Sequence, residues 1–416
     1  MGFFKRPKKE TKKNFAGDSS SINAYDFFND LVCKADKLKT PTTNRLMEFY
    51  ETVAPLQTAT DKLVDAFLDI EPIVKDKNKK EFPEHGLLKD LERPNKYQKS
   101  RREFFRDSLI SYIVTGDTYA IVEKRLTGQG FINIQVIPTS LITVESSMGE
   151  ITLTYTGDID KIFKMTNGYF TNKANPNQLI INYKRPIPKA GSFFQGFGMY
   201  NSCAVKIETY LLTTLFNYAF VDNGARPSML ITPQEPLTLE EHDILKKSLT
   251  KQISGAKNAG KTIVPSVPVE IKMLTTAMKD MDFERLEKTC TMAIYNSAGI
   301  PQALINPDAA NFGNYEAGIK ALYGRVQQIS QNFFDFLTSE LMPLYKDSLD
   351  KKVSYNVSSI VALMGDTIDM ARRTMDTGSV TATEIREIMG RGPIPKGEEL
   401  LSSVQVKDTK TKNKNS

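Results

Sequence analysis

Histidine and cysteine are scarce in this chain: His85 and His242, with Cys33, Cys203 and Cys290, are all it holds in 416 residues. The cysteines lie far apart without CxxC spacing, which excludes a disulfide framework or a zinc site and fits a reducing compartment. His242 stands in Glu240-Glu241-His242-Asp243. Neighbouring helical positions fan around the axis and cannot converge on one metal, so a solvated helix face is expected there. His85, ahead of Gly86-Leu87-Leu88, is expected as an exposed turn or capping residue, and Cys290, on an apolar stripe with no histidine nearby, as core. No catalytic constellation, metal or cofactor is expected.

Long apolar runs are also missing. Nothing approaches the roughly 20 residues of a membrane span, and the densest stretch, Leu211 to Val221, is interrupted by Thr213, Thr214 and Asn217. The opening MGFFKRPKKETKKN has positive charge but no apolar run of signal-peptide length. The expectation is a soluble, cytoplasmic protein without a membrane partner.

The body of the chain lacks the positive charge that its formal net of +6 advertises. Residues 1–14 carry +5 and residues 404–416 carry +3, leaving about −2 for everything between. The basicity belongs to two polar tails, expected to be disordered at 1–20 and 403–416. They are solvated ends, or contacts for DNA or an acidic partner.

With 40% apolar residues, the remainder can bury a sizeable core in two or three domains. Helices are expected over Ala24 to Leu68 and Arg101 to Val114, the second stopped by Gly116. Short β-branched or aromatic runs at Thr118 to Lys124, Phe131 to Ile137, Leu141 to Ser146 and Ile151 to Tyr155 indicate an antiparallel sheet in an α+β block ending near Gly198. A long apolar-rich helix follows, Tyr200 to Asp222, stopped by Asn223-Gly224 and Pro227. Next comes a small module: a strand at Ser228 to Thr232, a helix from Leu239 opened by a Thr238-x-x-Glu241 capping box, and strands near Lys261 to Val264 and Val269 to Leu274. Helices at Met281 to Ser297 and from Asn314 to Tyr345 flank a loop of small and amide residues. A strand at Val353 to Val357 and helices at Asp366 to Asp376 and Thr383 to Met389 complete the chain.

Residues 255–262, Gly-Ala-Lys-Asn-Ala-Gly-Lys-Thr, match the phosphate-binding pattern G-x-x-x-x-G-K-[ST] in full. That chemistry needs a strand before the loop and a helix after it, so that amides and the helix N-terminus point at the phosphates. Here a capped helix precedes, and Pro265 and Pro268 forbid a helix behind. A Gly-rich turn is the expectation. The rival readings are a P-loop nucleotide-dependent DNA-processing protein built on 255–262 and a basic-tailed nucleic-acid-binding module.

Several phrases, in order over roughly residues 40–395, resemble the large portal family of long-tailed double-stranded DNA bacteriophages and related prophages or gene-transfer agents. They are His85-Gly86-Leu87-Leu88, with Gly where Pro is usual; Arg93-Pro94-Asn95; and Gly116-Asp117-Thr118-Tyr119. Further along come Asn223-Gly224-Ala225-Arg226-Pro227-Ser228, Asn258-Ala259-Gly260 and Gly299-Ile300-Pro301-Gln302-Ala303-Leu304, with Ile305 where Gly is usual. The last are Asn314-Tyr315-Glu316 and Gly378 followed by Thr381, Thr383, Glu384 and Arg386.

The resemblance implies a portal-type α+β fold in a homo-oligomeric ring, typically of twelve subunits, at the capsid vertex of a virion assembled in the host bacterial cytoplasm. Double-stranded DNA would cross the ring, with terminase, the major capsid protein and a head–tail connector as partners. Packaging ATPase and nuclease activities belong to terminase, so the chain itself is expected not to be an enzyme. It further implies a wing at 21–198, stem helices at 199–224 and 276–298 around a clip at 225–275, and a tunnel-loop region at 299–313. A long helix at 314–352 and a wing strand with crown helices at 353–402 would follow. Asn223, Gly224, Ala225, Arg226 and Pro227, with Asn258, Ala259 and Gly260, would shape stem and clip. Asn306, Pro307, Asp308, Ala309, Ala310, Asn311, Phe312, Gly313 and Asn314 would face DNA; read from its chemistry alone, Phe312 is either a tunnel-facing contact or, the favoured reading, an apolar anchor that packs to hold the loop. From Thr289 to Ile319 the 31 residues include no Lys or Arg, only Asp308 and Glu316. Such a surface suits a duplex that must slide rather than stick, because each phosphate neutralised adds affinity.

Overall fold

The computed structural model describes residues 41–78, 80–126, 128–147, 150–157, 161–166, 169–185, 196–222, 229–253, 265, 267–273, 283–305, 312–355, 369, 372–373 and 381–388. The helical start resolves into α1 (Thr43–Thr52) and α2 (Ala54–Leu68), separated at Val53, whose extended backbone admits Pro55 into the first turn of α2. β1 (Pro72–Asp76) and α3 (Gly86–Glu92) lead to α4 (Arg101–Thr115). Ser100 caps α4 by accepting the Glu103 N–H at 3.2 Å, and Gly116 ends it at φ 85°, a left-handed position that suits glycine.

A seven-stranded antiparallel sheet follows, made of β2 (Asp117–Lys124), β3 (Phe131–Ile137), β4 (Ile142–Ser147), β5 (Glu150–Tyr155), β6 (Lys161–Thr166), β7 (Tyr169–Asn172) and β8 (Gln178–Lys184). The spatial order is β3-β2-β8-β7-β6-β5-β4, with β2 inserted between its hairpin partner β3 and β8. The four runs read from the sequence became β2 to β5. β1, β6, β7 and β8 were not anticipated.

α5 (Ala204–Asp222) runs out to a small module of β9 (Met229–Pro233), α6 (Leu239–Ile253) and β10 (Val269–Met273), in which β9 and β10 pair antiparallel. α7 (Phe283–Ala298) returns beside α5. Phe216 and Phe283 meet with ring centroids 4.9 Å apart at the far end, and Cys203 Sγ approaches Ser297 Oγ at 3.3 Å at the near end. α8 (Phe312–Glu340) is 29 residues, about 43 Å, long. It is followed by β11 (Lys351–Tyr355), which pairs antiparallel with β1, and by α9 (Ala382–Ile388). Of the proposed last helices, 366–376 lies almost wholly outside the described residues.

Aromatic packing ties these layers together. Phe333 of α8 meets Phe105 of α4 at 5.2 Å and Phe67 of α2 at 5.5 Å, both edge to face, and Tyr183 of β8 at 5.4 Å. Tyr183 in turn stacks on Tyr112 at 4.2 Å. Such pairs add specificity beyond the area they bury, and here they fix the long helix against both the helical layer and the sheet.

Among the described residues no helix is long and apolar enough to cross a membrane, and no group of histidine, cysteine or acidic side chains could hold a metal.

Candidate functional site

The segment between α7 and α8 is held at both ends. Gly299, at φ 78°, closes α7 with its N–H on the Asn296 carbonyl at 3.0 Å, while the Ile300 N–H reaches the Tyr295 carbonyl at 3.0 Å. Ile300 is buried. Pro301 then starts a 3-10 turn, Gln302–Leu304, whose last carbonyl accepts Lys62 Nζ of α2 at 2.8 Å. Gly318 of α8 lets Leu304 lie close: a Cβ there would sit 3.3 Å from Leu304 Cγ. Leu304 and Ile305 pack on the core.

Asn306, Pro307, Asp308, Ala309, Ala310 and Asn311 lie outside the described residues. Phe312 and Gly313, expected in the loop, instead begin α8, two residues ahead of the expected helix start at Asn314. Gly313 has poor helix propensity because of the backbone freedom it loses, and it stands in the first turn of α8 and not in its interior. Residues 313–317 are all exposed, and the side chain of Phe312 lies outside the description.

Glu316, one of the two acidic residues in the cation-free stretch, pairs with Lys320 at 3.6 Å. The fold also returns Lys62 to this region from far away in sequence, which no local reading could find. Its ammonium is turned onto the Leu304 backbone carbonyl.

The phosphate-loop match can be judged from its flanks, Gly255 to Thr262 being outside the described residues. α6 precedes it, β10 follows it, and β10 pairs antiparallel with β9. A phosphate loop needs the reverse order and a parallel sheet. His242 is exposed and Cys290 is buried, as expected. His85 does cap α3, its Nδ1 accepting the Leu87 N–H at 3.2 Å, but it is buried and not exposed, because Tyr345 packs over it with ring centroids 5.5 Å apart. Burial pushes its pKa down.

A family model described as phage portal protein matches residues 66–390. The chain belongs to the phage portal protein family. It is 21% identical over 335 residues to an uncharacterised protein of Rickettsia felis, covering 77% of this chain and 80% of that one. Among solved structures, it is similar to a chain in the neck of a native gene transfer agent particle computed with C12 symmetry. That likeness has a TM-score of 0.60 and 20% identity, over 85% of this chain and 94% of that one. It is also similar to an HK97 family phage portal protein from Corynebacterium diphtheriae, with a TM-score of 0.52 and 10% identity, over 77% and 96%.

Several family-like phrases of this portal chain sit at joints among the described residues. Asn95 bridges its surroundings: Oδ1 accepts the Tyr97 and Gln98 N–H groups at 2.8 and 2.6 Å, and Nδ2 donates to the Ile134 carbonyl at 2.7 Å. Gly116 lies so close to the backbone of Phe197 that any Cβ would collide, and Gly198 is pressed against the Val114 carbonyl in the same way. Between them, Asp117 Oδ2 accepts the Gly196 N–H at 2.6 Å, while its Oδ1 has no partner among the described residues. Burial raises the Asp117 pKa to about 6, against lowering by the Gly196 hydrogen bond and Lys184.

Gly86, the departure from the family's proline, faces the Tyr345 ring, with a Cβ position only 3.1 Å from it. Thr381 and Glu384 form a capping box: Glu384 Oε2 accepts the Thr381 N–H at 2.8 Å, and Thr381 Oγ1 accepts the Glu384 N–H at 3.2 Å. Asn223, Gly224, Ala225, Arg226, Pro227, Asn258, Ala259 and Gly260 all lie outside the described residues.

Proposed function

We propose that this portal-family chain assembles into a ring at a capsid vertex, through which double-stranded DNA is packaged and later ejected. In this reading α5 and α7 are the stem, the β9–α6–β10 module is the clip that docks terminase and head–tail connector proteins, and residues 306–311 line the tunnel. The sheet and helices α1 to α4 form the wing, set toward the capsid protein, and the chain after β11 leads into the crown. The observation that carries the reading is the family match over residues 66–390.

Two further features support it. α5 exposes Val205, Leu212 and Leu215 on the side away from its buried Ile207, with Leu212 67% and Leu215 60% exposed. A contiguous apolar stripe on a lone protomer marks an association surface, and the C12 neck to which the chain is similar favours a cyclic neighbour as its occupant. The 31-residue stretch without Lys or Arg surrounds the proposed tunnel loop. In a ring even one lysine per subunit there would multiply phosphate contacts and the salt-dependent affinity they bring.

Ala309→Lys or Ala310→Lys tests this directly. Such variants should assemble normally yet slow DNA translocation in a packaging assay with the cognate motor. Unchanged rates would count against the tunnel placement.

A further inference from the structure

The β1–β11 ribbon has an outer face that works against its own pairing. In this register Lys75 stands directly opposite Lys352, and Lys77 follows in the turn just after β1. Like charges directly across a strand pair are destabilising. Lys75 is partly neutralised by Glu81 at 3.4 Å, and Lys77 pairs with Asp350. Lys352 is exposed and has no ion pair among the described residues.

The ribbon's other face does not share the problem. There Val74 and Val353 are buried, and Lys351 is taken up by Asp347 and by the Phe82 ring, 4.0 Å from its Nζ. The Lys75–Lys352 opposition lines a cleft of about 670 Å³ at the end of the ribbon, together with Lys77, Asp350 and Ser354 and with Asp76 and Lys351 at its edge from the other face.

We propose that this cleft is a docking site for a carboxylate-bearing segment of a partner protein, whose acidic side chain bridges Lys75 and Lys352. An anion between the two ammonium groups converts a repulsion into two charge-assisted contacts. The volume is that of a site enclosing a few side chains. Asp76 and Asp350, set among the lysines, disfavour a duplex with its unbroken row of phosphates and leave room for a peptide with spaced carboxylates. The proposal does not rest on the conduit reading, since it uses only the ribbon's register and charge.

The test is zero-length carbodiimide cross-linking of a hexaglutamate peptide to the full-length protein at physiological salt, mapped by mass spectrometry. Cross-links should fall on Lys75 and Lys352 in preference to the chain's other exposed lysines, and the yield on Lys75 should drop at least tenfold in Lys352→Gln, where Lys75 itself is still present. Cross-links confined to the basic tails would overturn the proposal. So would full competition at the ribbon by a short DNA duplex, which would assign the patch to nucleic acid. The exposed single variant Lys352→Gln serves as a folding control: its unfolding midpoint should stay level or rise, whereas a fall would assign the lysine to the fold itself.

Discussion

Asp117 is a carboxylate held under the Gly196 amide, with one oxygen lacking a partner among the described residues. Its pKa is about 6 in the fold against an ordinary 3.8. Because the folded form holds its proton more tightly, the stability linked to this group is fully present below about pH 4 and is lost as pH rises through 6. The difference is on the order of 3 kcal/mol. Chemical denaturation at pH 7, 6 and 5 should show wild-type stability rising on acidification and a flatter profile in Asp117→Asn; equal slopes in the two proteins would refute this.

Tyr345 is the second residue-scale test. Its hydroxyl donates to Asp90 Oδ2 at 2.6 Å, and Asp90 Oδ1 accepts Arg125 Nη2 at 2.6 Å, tying the chain after α8 to the β2–β3 hairpin. Tyr345→Phe removes a hydrogen bond to a charged acceptor and should cost about 2 kcal/mol in denaturant titration. At this scale the sequence was legible where a residue's role is local. The capping role of His85, the stop at Gly116 and the Thr238-x-x-Glu241 box could all be read from neighbours a few positions away. The burial of His85 could not, because the ring that covers it comes from residue 345.

At the scale of elements, legibility followed pattern strength. The amphipathic and capped helices were found to within a few residues, as with Met281 to Ser297 against α7. β8 was missed because Leu179, Ile180 and Ile181 are all buried in a strand with neighbours on both sides, so alternation disappears. β1 was missed because its partner lies some 280 residues away and no nearby hairpin announces it.

The exposed face of α5 yields the element-scale prediction. Leu212→Glu/Leu215→Glu places charge where the neighbour is proposed to pack, on side chains the protomer does not bury. Sedimentation velocity should show the ring replaced by protomers while circular dichroism stays unchanged. Rings that persist would move the interface elsewhere.

For the whole molecule, charge placement matters more than net charge. The +6 resides in the two tails, and the body between them is slightly acidic. The charge pattern around residues 306–311 was visible in the sequence, but the anchoring of the preceding turn, Gln302–Leu304, by Lys62 and Gly318 was not, since it depends on α2 and α8 meeting. Both features fit the proposed account, in which a short segment with no cationic side chain would line a central space formed when protomers close around it.

Electron microscopy of the purified full-length protein tests that account most directly. It predicts closed rings with a central hole wide enough for a DNA duplex. Protomers that stay separate at high concentration, or join into open filaments, would contradict it.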